Sequence, residues 1–249
     1  MENKVSVSIV SHGHGSMVSD LVSKLVKLDA VSEIIVTLNL EEQIELIHSS
    51  KMIVLTNDTP KGFGENHNYA FQLASEHYFC VLNPDIDFIG DPFKKLLDQF
   101  AEDQNLGLTC PAVYSVDGVV ADSVRRFPSF VDIPLKLLKA NVGKIEFENP
   151  SAPVSVDWCA GMFMLFSRNA YMVVQGFDES FYLYYEDVDI CARLWRSGIS
   201  VACNPAVSVI HDARRDSRKH IWYFVMHLKS LIRYFFRYGL KRIDSRVRI

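Results

Sequence analysis

Short apolar runs separated by helical stretches fill the first 82 residues, and this alternation restricts the fold more than any other feature. Val5–Val10, Glu33–Leu38, Met52–Leu55 and His77–Leu82 read as strands. Ser16–Leu28 carries Val18, Leu21, Val22, Leu25 and Val26 at helical spacing, and Gln43–His48 and Asn66–Ser75 also read as helices. Strands and helices in turn predict an α/β fold, with a mostly parallel sheet covered on both faces. Such sheets bind ligands where their strands end. Chemistry is therefore expected at Ser11–Gly15, Leu38–Glu42, Thr56–Asn68 and Asn83–Asp87.

The remainder is less regular. Asp91–Gln104 is predicted as a helix opened by Asp91 and Pro92. Thr109–Pro153 is expected to form strands and loops over the sheet edge. Arg168–Val174 reads as a helix stopped at Gly176, and Asp187–Ser197 as one closed by Gly198. Ser200–Cys203 and Val207–Ile210 read as two late strands. No repeat or low-complexity linker interrupts the chain, so residues 1–213 are taken as one domain and 214–249 as an appendage.

Charge supports that division. The net charge of −4 combines 26 Lys and Arg with 30 Asp and Glu. Residues 214–249 hold 11 of the basic side chains but only Asp216 and Asp244, which leaves 15 basic and 28 acidic residues in 1–213. An acidic globule with a basic tail points to an anionic surface and gives no sign of a nucleic-acid partner. The five cysteines, Cys80, Cys110, Cys159, Cys191 and Cys203, form no Cys-x-x-Cys pair and read as buried thiols of a reducing compartment. Val5–Val10 is too short for a signal-peptide core, and nothing reaches the roughly 18 apolar residues of a spanning helix. A cytoplasmic location is expected, peripheral on the inner face of the membrane.

Four constellations stand out. Phe79–Leu82 runs into Asn83-Pro-Asp85-Ile-Asp87, and residues two apart in an extended segment project to one side, so both carboxylates can approach one divalent cation, although aspartates are also common in plain turns. Gly62 and Gly64 precede a helix and suit close approach of a ligand to the backbone, but the segment lacks both the dinucleotide fingerprint and the P-loop pattern. Glu186, Asp187 and Asp189 follow a run of aromatics, which suits a partly desolvated base and equally suits carboxylates facing a helix dipole. His211 ends a strand just before Arg214 and Arg215, and reads either as a surface residue or, beside a metal-diphosphate site, as a ligand or phosphate donor with the arginines neutralising phosphate. His12 and His14 lack a third ligand nearby and read as a loop packing on a nucleotide base.

Together, Ser8-Ile-Val-Ser-His12, Gly62-Phe-Gly-Glu-Asn66, Leu82-Asn-Pro-Asp85-Ile-Asp87, Gly161-Met-Phe-Met-Leu-Phe166 and the block from Gly176 to Leu194 resemble glycosyltransferase family 2, nearest its bacterial rhamnosyltransferase-like branch. The resemblance implies a GT-A fold with a C-terminal amphipathic helical appendage. It implies Mg or Mn on the donor diphosphate, held by Asp85, Asp87 and His211. Asp187 would be the base that deprotonates the acceptor hydroxyl, with Glu186 or Asp189 orienting acceptor or base. Ser11, His12, Asn39, Gly62, Gly64, Asn66, Asn68, Asn83 and Asp85, together with Arg214 and Arg215, would contact the nucleotide sugar. The second strand exits without the family's Asn-x-Ser-x-Asp-Gly pattern, so the base-binding acid is unassigned, with Glu41 a candidate.

The activity implied is inverting transfer of a sugar, rhamnose from dTDP-rhamnose, to a saccharide acceptor carried on a polyprenyl diphosphate, in O-antigen or capsule biosynthesis. Two competing readings are a metal-dependent nucleotidyltransferase and a non-catalytic membrane-attached scaffold of a polysaccharide assembly complex. In the tail, Trp222, Val225, Met226, Ile232 and Phe236 alternate in helical fashion with Lys229, Arg233 and Arg237. Such a helix suits a membrane surface, the catalytic domain or a second subunit in a homodimer.

Overall fold

A computed structural model describes residues 3–132, 142–145, 147, 149–212, 221–241 and 243–244. Its main sheet contains β1 (Val5–Ser11), β2 (Val31–Leu38), β3 (Met52–Thr56), β4 (Tyr78–Leu82), β5 (Ile86–Asp87), β6 (Leu106–Ser115), β10 (Phe163–Ser167) and β11 (Ser200–His211), in the order β3-β2-β1-β4-β10-β6-β11-β5. β8 (Val154–Ser155) adds to β11, while β7 (Val124–Arg125) and β9 (Trp158–Cys159) form a separate pair. β1 to β4 pair in parallel, β10 runs antiparallel to β4 and β6, and β6 and β11 are parallel to each other. The sheet is thus mixed but mostly parallel, as expected.

Helices cover both faces because the strands alternate their side chains. In β4, Cys80 and Leu82 join a core with α1 (Ser16–Leu25) and α3 (Phe93–Glu102), while Phe79 and Val81 face a second core with α2 (Phe63–Leu73), α4 (Arg168–Val173), α5 (Glu186–Arg196) and α6 (Ile221–Tyr238). α1 buries Val18, Leu21, Val22 and Leu25, the stripe read from the sequence. All five cysteines are buried and unbridged. His67 is buried with Nδ1 bonded to Ser8 Oγ at 2.8 Å, and burial lowers its pKa to about 3, so it is neutral.

Three expectations are corrected. Residues 43–48 form no helix: the segment has no regular secondary structure, and Ile44 and Leu46 pack against the core. β6 does not lie over the sheet edge but between β10 and β11, and Leu106–Val113 is buried throughout. The two late strands are one, β11, whose register slips between Asn204, opposite Pro111, and Ser208, opposite Ala112. Pro111 has no N–H to give, and a slip of this kind lets an interior strand carry it.

This topology gathers the functional loops. The carboxyl ends of β1, β2, β3, β4 and β11 share one edge, and antiparallel β10 brings Gly161 and Met162 to that edge because Phe163 lies opposite Leu82.

Candidate active site

At the β4 exit, Asp85 Oδ2 lies 3.0 Å from His211 Nε2, and the Asp85 carbonyl accepts the Asp212 N–H at 2.9 Å. Asp85 Oδ1 is buried without a hydrogen-bond partner. A cation would satisfy that oxygen, and a carboxylate beside an imidazole is a suitable donor pair. Asp87 does not complete the set. Its carboxylate pairs with Lys24 of α1 and caps its own neighbour, Phe88, through the N–H at 2.6 Å. Ile86–Asp87 pairs as a short strand with Ile210–His211, which fixes the backbone there and leaves Asp87 on the α1 side. Among the described residues no three His, Cys, Asp or Glu side chains converge as a metal site.

One hydrogen bond joins this corner to the second carboxylate centre. The Asn83 N–H donates to the Met162 carbonyl at 2.9 Å, and the adjoining Gly161 N–H donates to Asp187 Oδ2 at 3.2 Å. Asp187 Oδ1 accepts the Val188 N–H at 2.8 Å. Burial pushes the Asp187 carboxyl up to about 6, against the pull of these two N–H groups. Beside it, burial and then the Asp187 charge hold the Glu186 carboxyl well above the usual carboxylate range, and Glu186 Oε2 has no partner.

Asp189 is different. It is fully buried, and its oxygens meet Arg193 Nε, an Arg237 guanidinium nitrogen and the Tyr238 hydroxyl, each at 2.7 Å. Arg237 also reaches Asp178 at 2.6 Å. Asp189 therefore fastens α6 onto α5, and of the two residues expected to orient acceptor or base only Glu186 has a carboxylate oxygen left without a partner. The turn that delivers Glu186 and Asp187 is strained, because Tyr184 and Tyr185 have φ of 68° and 67°. Left-handed backbone at a bulky residue costs about 1–3 kcal/mol. α6 braces the turn: Ser230 Oγ donates to the Leu183 carbonyl at 2.9 Å, His227 meets the rings of Tyr184 and Tyr185, and Tyr234 meets Tyr185. Gly161, His227, Ser230 and Arg237 had no place in the sequence reading of the site. Only Gly161 lay in a quoted motif, because the α6 contacts span more than 40 residues and leave no local pattern.

On the β1–β3 side, Asn39 is the hub. Its Oδ1 accepts from the Lys61 N–H and Asn57 Nδ2, both at 2.8 Å, and its Nδ2 lies 3.1 Å from His12 Nδ1. The Asn39 N–H donates to the Ser11 carbonyl at 2.8 Å, so Ser11, His12 and Asn39 are brought together as expected, with Asn57 an unforeseen member. Glu42 accepts from the Gly13 and Gly15 N–H groups at 3.3 and 3.1 Å, while Glu41 is exposed.

The Gly62–Asn68 segment is held by contacts within the protein. A Cβ on Gly62 would stand 3.0 Å from the Tyr182 carbonyl, and one on Gly64 would stand 2.6 Å from Phe177 Cβ. The space these glycines free is filled by protein. Asn66 is buried and bonds the Gly62 carbonyl, and Asn68 holds the Phe177 N–H and carbonyl together with the Tyr171 hydroxyl. Gly62, Gly64 and Asn68 thus fasten α2 to the loop ahead of Glu186, while Asn66 accepts from Asn57 Nδ2 at 2.6 Å and joins the Asn39 cluster. Arg214 and Arg215 lie outside the described residues.

With this geometry in place, comparison with known proteins is informative. The chain is 32% identical over 254 residues to "Rhamnosyltransferase WbbL" of Escherichia coli (strain K12), covering 97% of this chain and 95% of that protein. It is 28% identical over 180 residues to the "N-acetylglucosaminyl-diphospho-decaprenol L-rhamnosyltransferase" of Mycobacterium tuberculosis (strain ATCC 25618 / H37Rv), 66% of this chain and 58% of that one. The family described as the N-terminal domain of galactosyltransferase matches residues 143–215. Among solved structures, GalNAc-T7 with UDP, GalNAc and Mn2+ superposes with a TM-score of 0.67 at 15% identity, over 86% of this chain and 44% of that one. A Pyrobaculum calidifontis mannosyltransferase in complex with GDP-Man and Mn2+ gives 0.64 at 14% identity, over 98% and 67%. The last two show the shared GT-A fold. An extended likeness to a rhamnosyltransferase, on that fold, makes the chain a glycosyltransferase and a member of glycosyltransferase family 2 in its bacterial rhamnosyltransferase-like branch.

Proposed function

We propose that the protein transfers rhamnose from dTDP-rhamnose, with inversion, to a hydroxyl of a saccharide carried on a polyprenyl diphosphate, in the synthesis of a bacterial surface polysaccharide such as O-antigen or capsule. The observation that carries this reading is Asp187, tuned by burial to titrate near 6 and tied through Gly161, Met162 and Asn83 to the Asp85–His211 corner. A base poised near neutrality beside a phosphate-binding corner suits a single displacement. The relatives' names support the sugar, and the decaprenol-linked one supports the acceptor class.

In this reading Asp187 takes the proton of the acceptor hydroxyl as its oxygen bonds to the anomeric carbon, and the bond from that carbon to the diphosphate oxygen breaks. The Gly161 and Val188 N–H groups hold the carboxylate in place. Glu186, whose Oε2 is buried without a partner beside Asp187, is assigned to orient acceptor or base. Asp85 and His211 would hold Mg or Mn, which when bound offsets charge on the leaving diphosphate. Arg214 and Arg215, just past His211, are assigned to the same charge, and the Ser11–His12–Asn39 cluster to the nucleotide.

The test is to incubate the purified full chain with a panel of nucleotide sugars and a polyprenyl-diphosphate saccharide, with and without chelator. Transfer from dTDP-rhamnose, sensitive to chelator and inverted at the anomeric carbon by NMR, is expected. A retained configuration, pyrophosphate release or no turnover with any donor would overturn the reading.

A further inference from the structure

α6 has two unlike sides. Its inward row, Tyr223, His227, Ser230, Tyr234 and Tyr238, steps by four, three, four and four residues and includes the contacts that brace the Tyr184–Tyr185 turn. The same spacing, shifted two residues, gives an outward row of Ile221, Val225, Leu228, Ile232 and Phe236, all exposed, with Ile221 at 83% and Phe236 at 87%. A helix on a globular protein ordinarily turns polar residues outward. Here the apolar row is bordered by exposed Lys229 and Arg233, and residues 221–241 contain no Asp or Glu.

The apolar ground continues beyond the helix. The Phe130 N–H donates to the Leu240 carbonyl at 2.9 Å and its ring meets Phe235, which sets exposed Phe130, Val131 and Leu240 at the carboxyl end of α6. We propose that this face, the outward side of α6 with Phe130 and Val131, docks on the surface of an anionic bilayer. No described helix is long and apolar enough to cross a membrane, so α6 would lie in the interface with its cations at the head groups. A second copy of the chain fits less well. A two-fold contact would set the face against itself, bringing Lys229 and Arg233 toward their own copies with no carboxylate on the helix to pair them.

The placement has a chemical use. Trp222 of α6 meets Tyr182, and the segment from there leads directly to Glu186 and Asp187. A bilayer under α6 would present a lipid-linked saccharide next to the base. The inference rests on the proposed function only for what the bilayer carries.

The test is flotation of the full chain with vesicles of phosphatidylethanolamine and phosphatidylglycerol, with phosphatidylcholine vesicles as the uncharged control and light scattering for oligomeric state. The wild type is expected to float with the anionic vesicles, less so at high salt. Binding should fall about tenfold or more in Ile232→Ser/Phe236→Ser and about fivefold or more in Lys229→Glu. Failure of the wild type to float, equal flotation of the double variant, or a dimer that the double variant splits would overturn the proposal. Transfer to a detergent-solubilised acceptor, with no vesicles present, reports on the proposed function separately. A chain that floats as expected but transfers nothing would sink that reading and leave the docking face standing.

Discussion

The two halves of the site are built in opposite ways. At the ends of β1 to β3, Ser11, His12, Asn39 and Asn57 are held by one another and by strands adjacent in sequence, through neutral hydrogen bonds at a partly open edge. At the start of α5, Glu186 and Asp187 sit on a turn with two left-handed tyrosines, and the braces come from α6, some 40 residues later. The first half is set by sheet pairing. The second is imposed against local preference, and such strain persists only where the surroundings over-determine it. At the β4 exit and at the start of α5, neighbouring carboxylates also part company: Asp85 joins His211 while Asp87 turns to Lys24, and Asp187 meets Gly161 while Asp189 is tied to Arg237.

The hardest test of this contrast is Asp187→Asn. Transfer should drop about 100- to 10,000-fold, the range of a lost general base. The same variant should gain stability at neutral pH. A carboxyl whose pKa rises from 3.8 to about 6 on folding contributes stability in full below 3.8 and loses it as pH climbs through 6, so removing the charge recovers about 1–3 kcal/mol above pH 6, read by urea unfolding. Loss of stability there would argue that the site is not strained by its charge. Asp85→Ala or His211→Ala should reduce transfer about 100-fold and abolish its response to added Mn. Asp87→Asn should change it by less than about threefold, since its partner is an exposed lysine. Equal losses at positions 85 and 87 would restore Asp87 to the ligand set.

Arg237→Gln should cost about 2–4 kcal/mol by leaving a buried carboxylate with one cation instead of two, again measured in urea. It should also lower kcat by more than it raises KM for the donor, because the affected turn carries Asp187 and not the Ser11–His12–Asn39 cluster. In wild type, kcat should fall about tenfold per pH unit below 6, where Asp187 becomes protonated, and that inflection should be missing from residual activity in Asp187→Asn. The smallest effect is expected at Lys24→Ala, within about 0.5 kcal/mol of wild type.

What was legible in the sequence follows the same divide. Period-two and period-3.6 patterns place β1 to β4, α1, α3, α4 and α5 within a few residues, because those elements bury faces whose spacing is written locally. β6 was misplaced because an unbroken apolar run containing Pro111 does not reveal whether a strand is at an edge or inside. Gly62 and Gly64 look the same in sequence whether a phosphate or Phe177 occupies the space their missing Cβ leaves. Asp187 and Asp189 look alike by spacing and chemistry, and the α6 partners that tie Asp189 down, Arg237 and Tyr238, lie 48 and 49 residues away from it.

That anchor bears on how the protein comes into being. Chains emerge amino end first and domains begin to fold as they leave the ribosome. Until residue 237 has been made, Asp189 has one of its two guanidinium partners, and the Tyr184–Tyr185 turn has no brace from α6. Translation that stops short would therefore leave a sheet largely paired and the Ser11–His12–Asn39 cluster largely formed, while the turn that carries Glu186 and Asp187 still lacks its braces. The two halves of the site are completed at different moments of synthesis.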